Sequence, residues 1–302
     1  MSDQTKQATL PKAPFRRFAL AATGLTLAFI LPLDHLIHFA LGDDLHSHIL
    51  LIPFISLYLV WLRKSDWPVQ SAPARKTAAL FFATGGAVLA WHWWVNRSNH
   101  PLAVEDSLSL TTAAFVLLLA GLGALFLGGP TLRQLAFPFA LLVFMIPLPV
   151  FFRDWIETSL QHGSAEAADG LFQICGMAVL RDGMVFRLPG MALQVAPECS
   201  GIHSTFVLFI TSLLAGQMFL RQPWRRAALC LAVIPLALAR NGLRIFVIGE
   251  LCVHVGPHMI DSPIHHRGGP LFFAVSLVPF FLWLYFLKKT EPLNTGVPSP
   301  SK

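Results

Sequence analysis

Charge is scarce in this chain. Of its 302 residues only 13% are Asp, Glu, Lys or Arg, whereas 55% are hydrophobic. A soluble domain carries about 25% charged residues, and a soluble fold of this length has no way to hide so much apolar surface. Mean hydropathy is +0.61, which suits a chain whose solvent is lipid. This excludes a soluble enzyme and a disordered chain. Cysteine is also sparse: Cys175, Cys199, Cys230 and Cys252 form neither a CxxC pair nor a zinc spacing. A disulfide-stapled secreted module is therefore excluded as well. Two of the four lie inside apolar runs, which reads as packing. No small-residue cleavage site follows the first apolar run, so that run is a span rather than a signal peptide.

What is present is a series of apolar runs, at residues 18–41, 49–62, 77–95, 108–127, 135–152, 205–220, 227–248 and 270–287. Eight helices of about 20 residues use roughly 160 positions, leaving the rest for loops, ends and one active region. The expectation is an all-α polytopic membrane protein with about eight transmembrane helices and one long outer loop. Residues 1–17 and 288–302 are expected as cytoplasmic tails flanking a transmembrane domain at 18–287. The second run is short, and it is expected to extend back through residues 43–48 or to lie tilted.

The net charge is +6, but the basic residues fall between apolar runs, where they orient spans rather than bind nucleic acid. With the N-terminus cytoplasmic and the loops alternating, 15 of the 22 basic residues are inside: Lys6, Lys12, Arg16, Arg17, Arg63, Lys64, Arg75, Lys76, Arg133, Arg221, Arg225, Arg226, Lys288, Lys289 and Lys302. Outside lie Arg97, Arg153, Arg181, Arg187, Arg240, Arg244 and Arg267. The positive-inside rule favours this orientation.

One outer segment stands apart: residues 153–204 are of mixed character. Residues 153–176 read as an interfacial amphipathic helix with Trp155 and Leu160 toward lipid. Weak alternation at 184–187 and 192–195 around Pro189-Gly190 reads as a short hairpin. Long ordered loops in compact domains are usually functional.

Three clusters fall on the outer side. Pro197-Glu198-Cys199-Ser200-Gly201-Ile202-His203-Ser204 opens the sixth span. A helix N-terminus lowers a thiol pKa, because its orphan N–H groups favour the thiolate, and Ser200 and Gly201 leave room for a substrate backbone. The plain alternative is a buried or interfacial cysteine ahead of a helix. Asn241-Gly242-Leu243-Arg244 comes second, with Asn241 and Arg244 at i, i+3 on one helix face. An arginine at membrane depth is costly and marks function by default, although it also has the option of snorkelling to the interface. Its fork of donors suits an oxyanion or a carboxylate. Arg240 has the weaker case, since Arg244 has the asparagine one turn behind it. The third cluster holds His254, His258, His265 and His266, and histidine is the usual acid or base near neutral pH. His254 and His258 at i, i+4 suit a metal, but there is no HExxH motif and no third ligand. A thiol, an imidazole and a guanidinium on one side of the bilayer suit nucleophilic acyl transfer.

At these residues the chain resembles the exosortase/archaeosortase family. His46-Ser47-His48-Ile49-Leu50-Leu51-Ile52-Pro53 looks like its "SHG-x-L-x-P" pattern. Phe137-Pro138 with Met145-Ile146-Pro147-Leu148-Pro149 looks like "FP…PLP", and Cys199-Ser200-Gly201 like the nucleophile motif. Asn241-Gly242-Leu243-Arg244-Ile245 looks like "N-x-x-R-[IV]", and His265 with Gly268, Gly269 and Phe272 like "H-x-x-G-G…F". The matches span about residues 43–287 in the family's order. The family comprises multispanning cysteine transpeptidases that cleave C-terminal sorting signals, of the PEP-CTERM type in bacteria.

The resemblance implies Cys199 as nucleophile, Arg244 as transition-state stabiliser and His265 as acid/base, with His266 the runner-up and Ser200, Gly201 and Asn241 in support. It implies secreted substrates held by a C-terminal hydrophobic helix, and exopolysaccharide or another outer acceptor. It implies a multi-pass protein of the inner membrane, with membrane lipid around it and its active site outside. No cofactor, metal or nucleic acid is expected. Three residues depart from the pattern. Ile49 replaces a glycine, His203 stands where arginine or asparagine is usual, and Pro270 replaces a tryptophan. Hydrolysis and transpeptidation both stay open. The alternative from another class is a transporter or channel with an intramembrane Arg/His path. Against it, matched halves with discontinuous segments are absent.

Overall fold

The computed structural model describes residues 12–63, 72–98, 102–189, 191–195, 200–262 and 268–291. The chain forms two compact units, Met1–Arg153 and Asp154–Lys302. It is an all-α polytopic membrane protein: among the described residues six helices are long and apolar enough to cross a membrane, or up to eight if each of two bent pairs is one span.

In the first unit the helices are α1 (Lys12–Ala28), α2 (Ile30–Gly42), α3 (Ile52–Leu62), α4 (Arg75–Asn96), α5 (Val104–Phe126), α6 (Gly129–Gln134) and α7 (Ala136–Leu141). The first apolar run is one bent pair rather than a continuous rod, with α1 and α2 meeting at 72°. The cause is Pro32. It has no N–H for the carbonyl of Ala28 and its ring crowds that carbonyl, so the helix breaks at Phe29, which leaves helical geometry at φ −100, ψ 16. The second span does extend back, through a 3-10 segment Asp44–Leu50 that leads into α3. Within it His46 is 1% exposed, and its Nδ1 lies 2.8 Å from Oδ2 of Asp43. Asp43 also accepts from the N–H of Leu45 at 2.9 Å.

Helices α4 and α5 lie antiparallel, since the N–H of Ala74 bonds the carbonyl of Ala124 at 3.0 Å. Glycines let them approach: a Cβ on Gly121 would sit 2.8 Å from the Phe82 ring. The fifth apolar run breaks after a 3-10 segment Leu142–Met145. Ile146 precedes Pro147 and is driven to extended geometry, ψ 118. The start of α5 pins this break. Ser109 Oγ donates to the Pro147 carbonyl at 2.7 Å, and Asp106 accepts from the N–H of Val150 at 2.9 Å. Arg153 Nη1 donates to both carboxylate oxygens of Glu105 at 2.6 Å.

The helix α8 (Val150–Ile174) leads into the second unit, which also holds α9 (Ile202–Phe219), α10 (Pro223–Leu231), α11 (Val233–His254) and α12 (Gly269–Lys289). Three short strands, β1 (Leu180–Asp182), β2 (Val185–Leu188) and β3 (Met191–Gln194), form an antiparallel sheet in the order β1-β2-β3. The expected hairpin is β2–β3, with Phe186 opposite Leu193 and Leu188 opposite Met191. Its alternation buries Phe186, Leu188 and Leu193 while Arg187 points outward. That face packs with Ala165, Ala168 and Phe172 of α8 and Ile245, Ile248 and Cys252 of α11. A second core joins Leu208 of α9, Leu229 of α10, Val233 of α11 and Phe280 and Leu284 of α12.

Two expectations are corrected here. Trp155 is 64% exposed, but Leu160 is 8% exposed and points inward, because five residues carry a helix well round its axis. The seventh apolar run does not end at residue 248: α11 continues to His254. Its last turns bury Ile248 and Cys252 against the sheet and α8, and that packing extends the helix beyond its apolar run.

Candidate active site

Residues 196–199 and 263–267 fall outside the described residues, so Cys199, His265 and His266 are not among the placed side chains. What is placed is the segment that follows Cys199 and the helix that carries the arginines.

The segment begins at Ser200, 1% exposed, and turns into α9 through Gly201 at φ 65, ψ 24. Left-handed geometry of this kind costs an L side chain about 1–2 kcal/mol. Space excludes one too, since a Cβ there would lie 2.8 Å from Cγ of Asn241. The Gly201 carbonyl opens the helix by accepting from the N–H of Thr205 at 3.0 Å and from Thr205 Oγ1 at 2.8 Å. The first-turn N–H groups of α9 lie beyond the reach of intrahelical bonding, as at any helix start.

Helix α11 meets this segment with Arg240 and Asn241. Asn241 is 3% exposed, and its Nδ2 donates to the Ser200 carbonyl. Its Oδ1 accepts from Nε and Nη2 of Arg240, each at 3.1 Å. Arg240 Nη2 also donates to the Gly201 carbonyl and to Thr205 Oγ1, both at 3.2 Å. The asparagine is thus a bridge: its amide nitrogen serves the loop and its oxygen serves the guanidinium. Arg244 is half-buried one turn further along α11, on the same face as Arg240 by the i, i+4 spacing. His203 is half-buried in the first turn of α9.

Arg240, for which the sequence made the weaker case, donates to the carbonyl of Gly201, two positions after Cys199. The available signal was the i, i+4 spacing of the two arginines. The separation of 39 positions between Gly201 and Arg240 hid the contact. The continuation of α11 also places Arg240 and Arg244 well inside a helix, not at its end. Four residues beyond Gly242, whose Cβ would lie 2.6 Å from that of Ala167, the helix still runs against α8. Gln161 of α8 donates to the Val195 carbonyl at 2.5 Å, which fixes the residue that follows β3.

The histidine pair His254/His258 does not share a helix face. α11 ends at His254, and Gly256 turns the chain away at φ 142. His254 instead pairs with Glu250, Nδ1 to Oε2, at 3.1 Å. Among the described residues no group of three or more His, Cys, Asp or Glu is arranged to hold a metal ion. Cys252 is buried and Cys175 exposed, both as free thiols.

Chemically, the site offers a helix N-terminus, two guanidinium groups on one helix face and an asparagine that locks the two elements together. No curated protein and no solved structure matches the chain. The family model described as "Transmembrane exosortase (Exosortase_EpsH)" matches residues 38–282, most of the chain, and the chain belongs to that family.

Proposed function

We propose that this exosortase is a membrane-embedded cysteine transpeptidase or endopeptidase that cleaves the C-terminal sorting signal, of the PEP-CTERM type, from secreted proteins. The observation that carries the reading is the Asn241 bridge. It ties the N-x-x-R motif of α11 to Ser200, the residue joined to Cys199 by one peptide bond. A nucleophile motif and a guanidinium motif 41 residues apart thus share one locality, as acyl transfer requires.

In this reading the Cys199 thiolate attacks the scissile carbonyl and the C–O electrons move onto oxygen, where Arg244 donates to the oxyanion. The tetrahedral intermediate collapses as the C–N bond breaks, and His265 delivers the proton to the leaving amine. The hydrophobic helix of the substrate departs and a thioester remains on Cys199. An acceptor amine or hydroxyl, such as one on exopolysaccharide, then takes the acyl group; water as acceptor gives hydrolysis. Both chain ends are cytoplasmic and the site faces outward from the inner membrane, an orientation supported by the excess of basic residues inside.

The test is coexpression with a secreted protein bearing a PEP-CTERM-type tail, followed by gel mobility and membrane release. Cys199→Ala, Arg244→Ala and His265→Ala are expected to abolish processing, and His266→Ala to retain it. Processing that survives Cys199→Ala would refute the thiol mechanism. Wild type that leaves the tail intact would refute the substrate class.

A further inference from the structure

The first unit holds a cleft of about 630 Å³. Its walls include Phe18 and Ala22 of α1, Pro53 and Leu57 of α3, Phe115 of α5 and Phe139 of α7. The lining is almost wholly apolar. It contains two hydroxyls: Thr26 Oγ1 donates to the Ala22 carbonyl at 2.9 Å, and Ser56 Oγ is buried.

Such a lining selects its occupant. A peptide carries backbone polar groups at every residue, and walls without partners for them admit it only as a helix. A helix about 10 Å across fills roughly 850 Å³ in two turns, more than the cleft holds. A hydrocarbon chain is about 4 Å across, the contact distance of carbon atoms, and needs no hydrogen bond. Lipid tails therefore fit where a substrate's transmembrane helix does not.

One end of the cleft is basic. Phe15 lines it and exposed Arg16 follows in the chain. Arg63 follows the end of α3, and its Nη1 donates to the Gln134 carbonyl at 2.6 Å. Phe18, Val60, Leu127, Leu135 and Phe139 cluster at this end. The described carboxylates of the unit lie toward the other end. Asp34, Asp43 and Asp44 come beyond the C-terminus of α1, and Glu105 and Asp106 open α5, whose far end leads into Leu127. Asp34 is taken by His38, Asp43 by His46 and Glu105 by Arg153. Among the described residues neither Arg16 nor Arg63 pairs with a carboxylate. Cations without counter-ions beside an apolar cleft suit a molecule with an anionic head and apolar tails.

We propose that this cleft binds an anionic phospholipid, its headgroup phosphate on Arg16 and Arg63 and its tails between α1 and α3. The basic end is the side that the excess of basic residues marks as cytoplasmic, and that leaflet carries anionic lipids. The site lies within the first unit and does not depend on the thiol mechanism.

The test is titration of the full chain in detergent with dioleoyl phosphatidylglycerol, followed by native mass spectrometry and melting temperature. Dioleoyl phosphatidylcholine offers the same tails without net charge, and glycerol phosphate offers the head without tails. Phosphatidylglycerol is expected to stay bound and to raise the melting temperature, and each of the others to bind at least tenfold more weakly. Equal binding by either one overturns the proposal. A cation beside an anionic headgroup is worth about fivefold in affinity, so Arg16→Gln/Arg63→Gln is expected to weaken phosphatidylglycerol about 25-fold. Leu57→Trp adds bulk at an exposed position of the wall and is expected to weaken both lipids, whereas Leu282→Trp on the exposed face of α12 leaves both unchanged. Undiminished phosphatidylglycerol binding in the double arginine variant or in Leu57→Trp overturns the proposal. If loss of the Arg63–Gln134 bond unfolds the double variant, Arg16→Gln alone decides: about fivefold weaker binding is expected, and unchanged binding overturns the proposal.

Discussion

Asn241 of α11 donates its side-chain amide to the backbone carbonyl of Ser200, at the start of α9. An amide held at both ends, by Ser200 on one side and Arg240 on the other, leaves little room for rearrangement. The loop that follows the candidate nucleophile therefore inherits the rigidity of two packed helices. Preorganisation of this kind is what acyl transfer needs, because an attacking group misplaced by about 1 Å loses much of its rate.

Gly201→Ala tests that rigidity. The new methyl meets both a left-handed backbone, φ 65, and the Asn241 side chain, 2.5 Å from its Nδ2. The backbone alone costs about 1–2 kcal/mol, and relief requires Asn241 to leave Ser200. Processing in the coexpression assay is expected to fall at least tenfold, with a lower melting temperature in detergent. Full activity would show that the bridge is dispensable.

Close packing of α8 on α11 is tested by Gly242→Ala. A Cβ there lies 2.6 Å from the Ala167 Cβ and 3.0 Å from the Ala168 nitrogen, so backbone must move. Overpacking of this kind costs about 1–3 kcal/mol. Gly170→Ala on α8 is the control, because nothing lies within 4 Å of its Cβ; helix propensity predicts an unchanged or slightly higher melting temperature. Equal responses from the two variants would refute the packing argument.

Glu105→Gln probes the break before α8. Arg153 Nη1 bonds both carboxylate oxygens at 2.6 Å in a partly buried pair. Removing one charge is expected to cost about 1.5–3 kcal/mol and to speed hydrogen exchange at residues 146–153. Unchanged exchange would mean that Asp106 and Ser109 hold the break unaided.

The end of α12 carries a pH-sensitive tie. Glu291 accepts from the N–H groups of Arg221 at 2.9 Å and Gln222 at 2.8 Å. Desolvation pushes its carboxyl up, but the hydrogen bonds from Gln222 and Arg221 and the charges of Arg225 and Arg221 outweigh it and hold the carboxyl below its ordinary value. A depressed folded pKa means that its stabilisation is complete above the unfolded value of about 4.3. It is lost as pH falls through the folded pKa. The protection of residues 287–290 against hydrogen exchange, taken relative to the intrinsic rate at each pH, is expected to fall on acidification below about pH 4.3 in wild type. In Glu291→Gln that protection should be lower at neutral pH and flat across that range. A wild-type profile retained in the variant would show that Arg225, which bonds the Thr290 carbonyl at 2.7 Å, suffices.

The amino-acid sequence alone determined the solvent, the architecture and the family. Apolar runs separated by basic clusters admit no soluble fold, and five short motifs in a fixed order carry the family resemblance that the match over residues 38–282 bears out. The β2–β3 hairpin was legible because alternation around Pro189-Gly190 is a local signal. The breaks at Phe29 and Ile146 were written in Pro32 and Pro147, but an apolar run reads as continuous unless each proline is weighed against the carbonyl it displaces. Strand β1 and the inward face of Leu160 were illegible, since three residues carry no period and burial depends on what packs opposite. Tertiary structure decided the rest. It extended α11 past its apolar run, separated His258 from His254, and set Arg240 against the Gly201 carbonyl. Each of these depends on contacts between residues distant in the chain. Such contacts are set by how whole helices pack, and no local pattern encodes them.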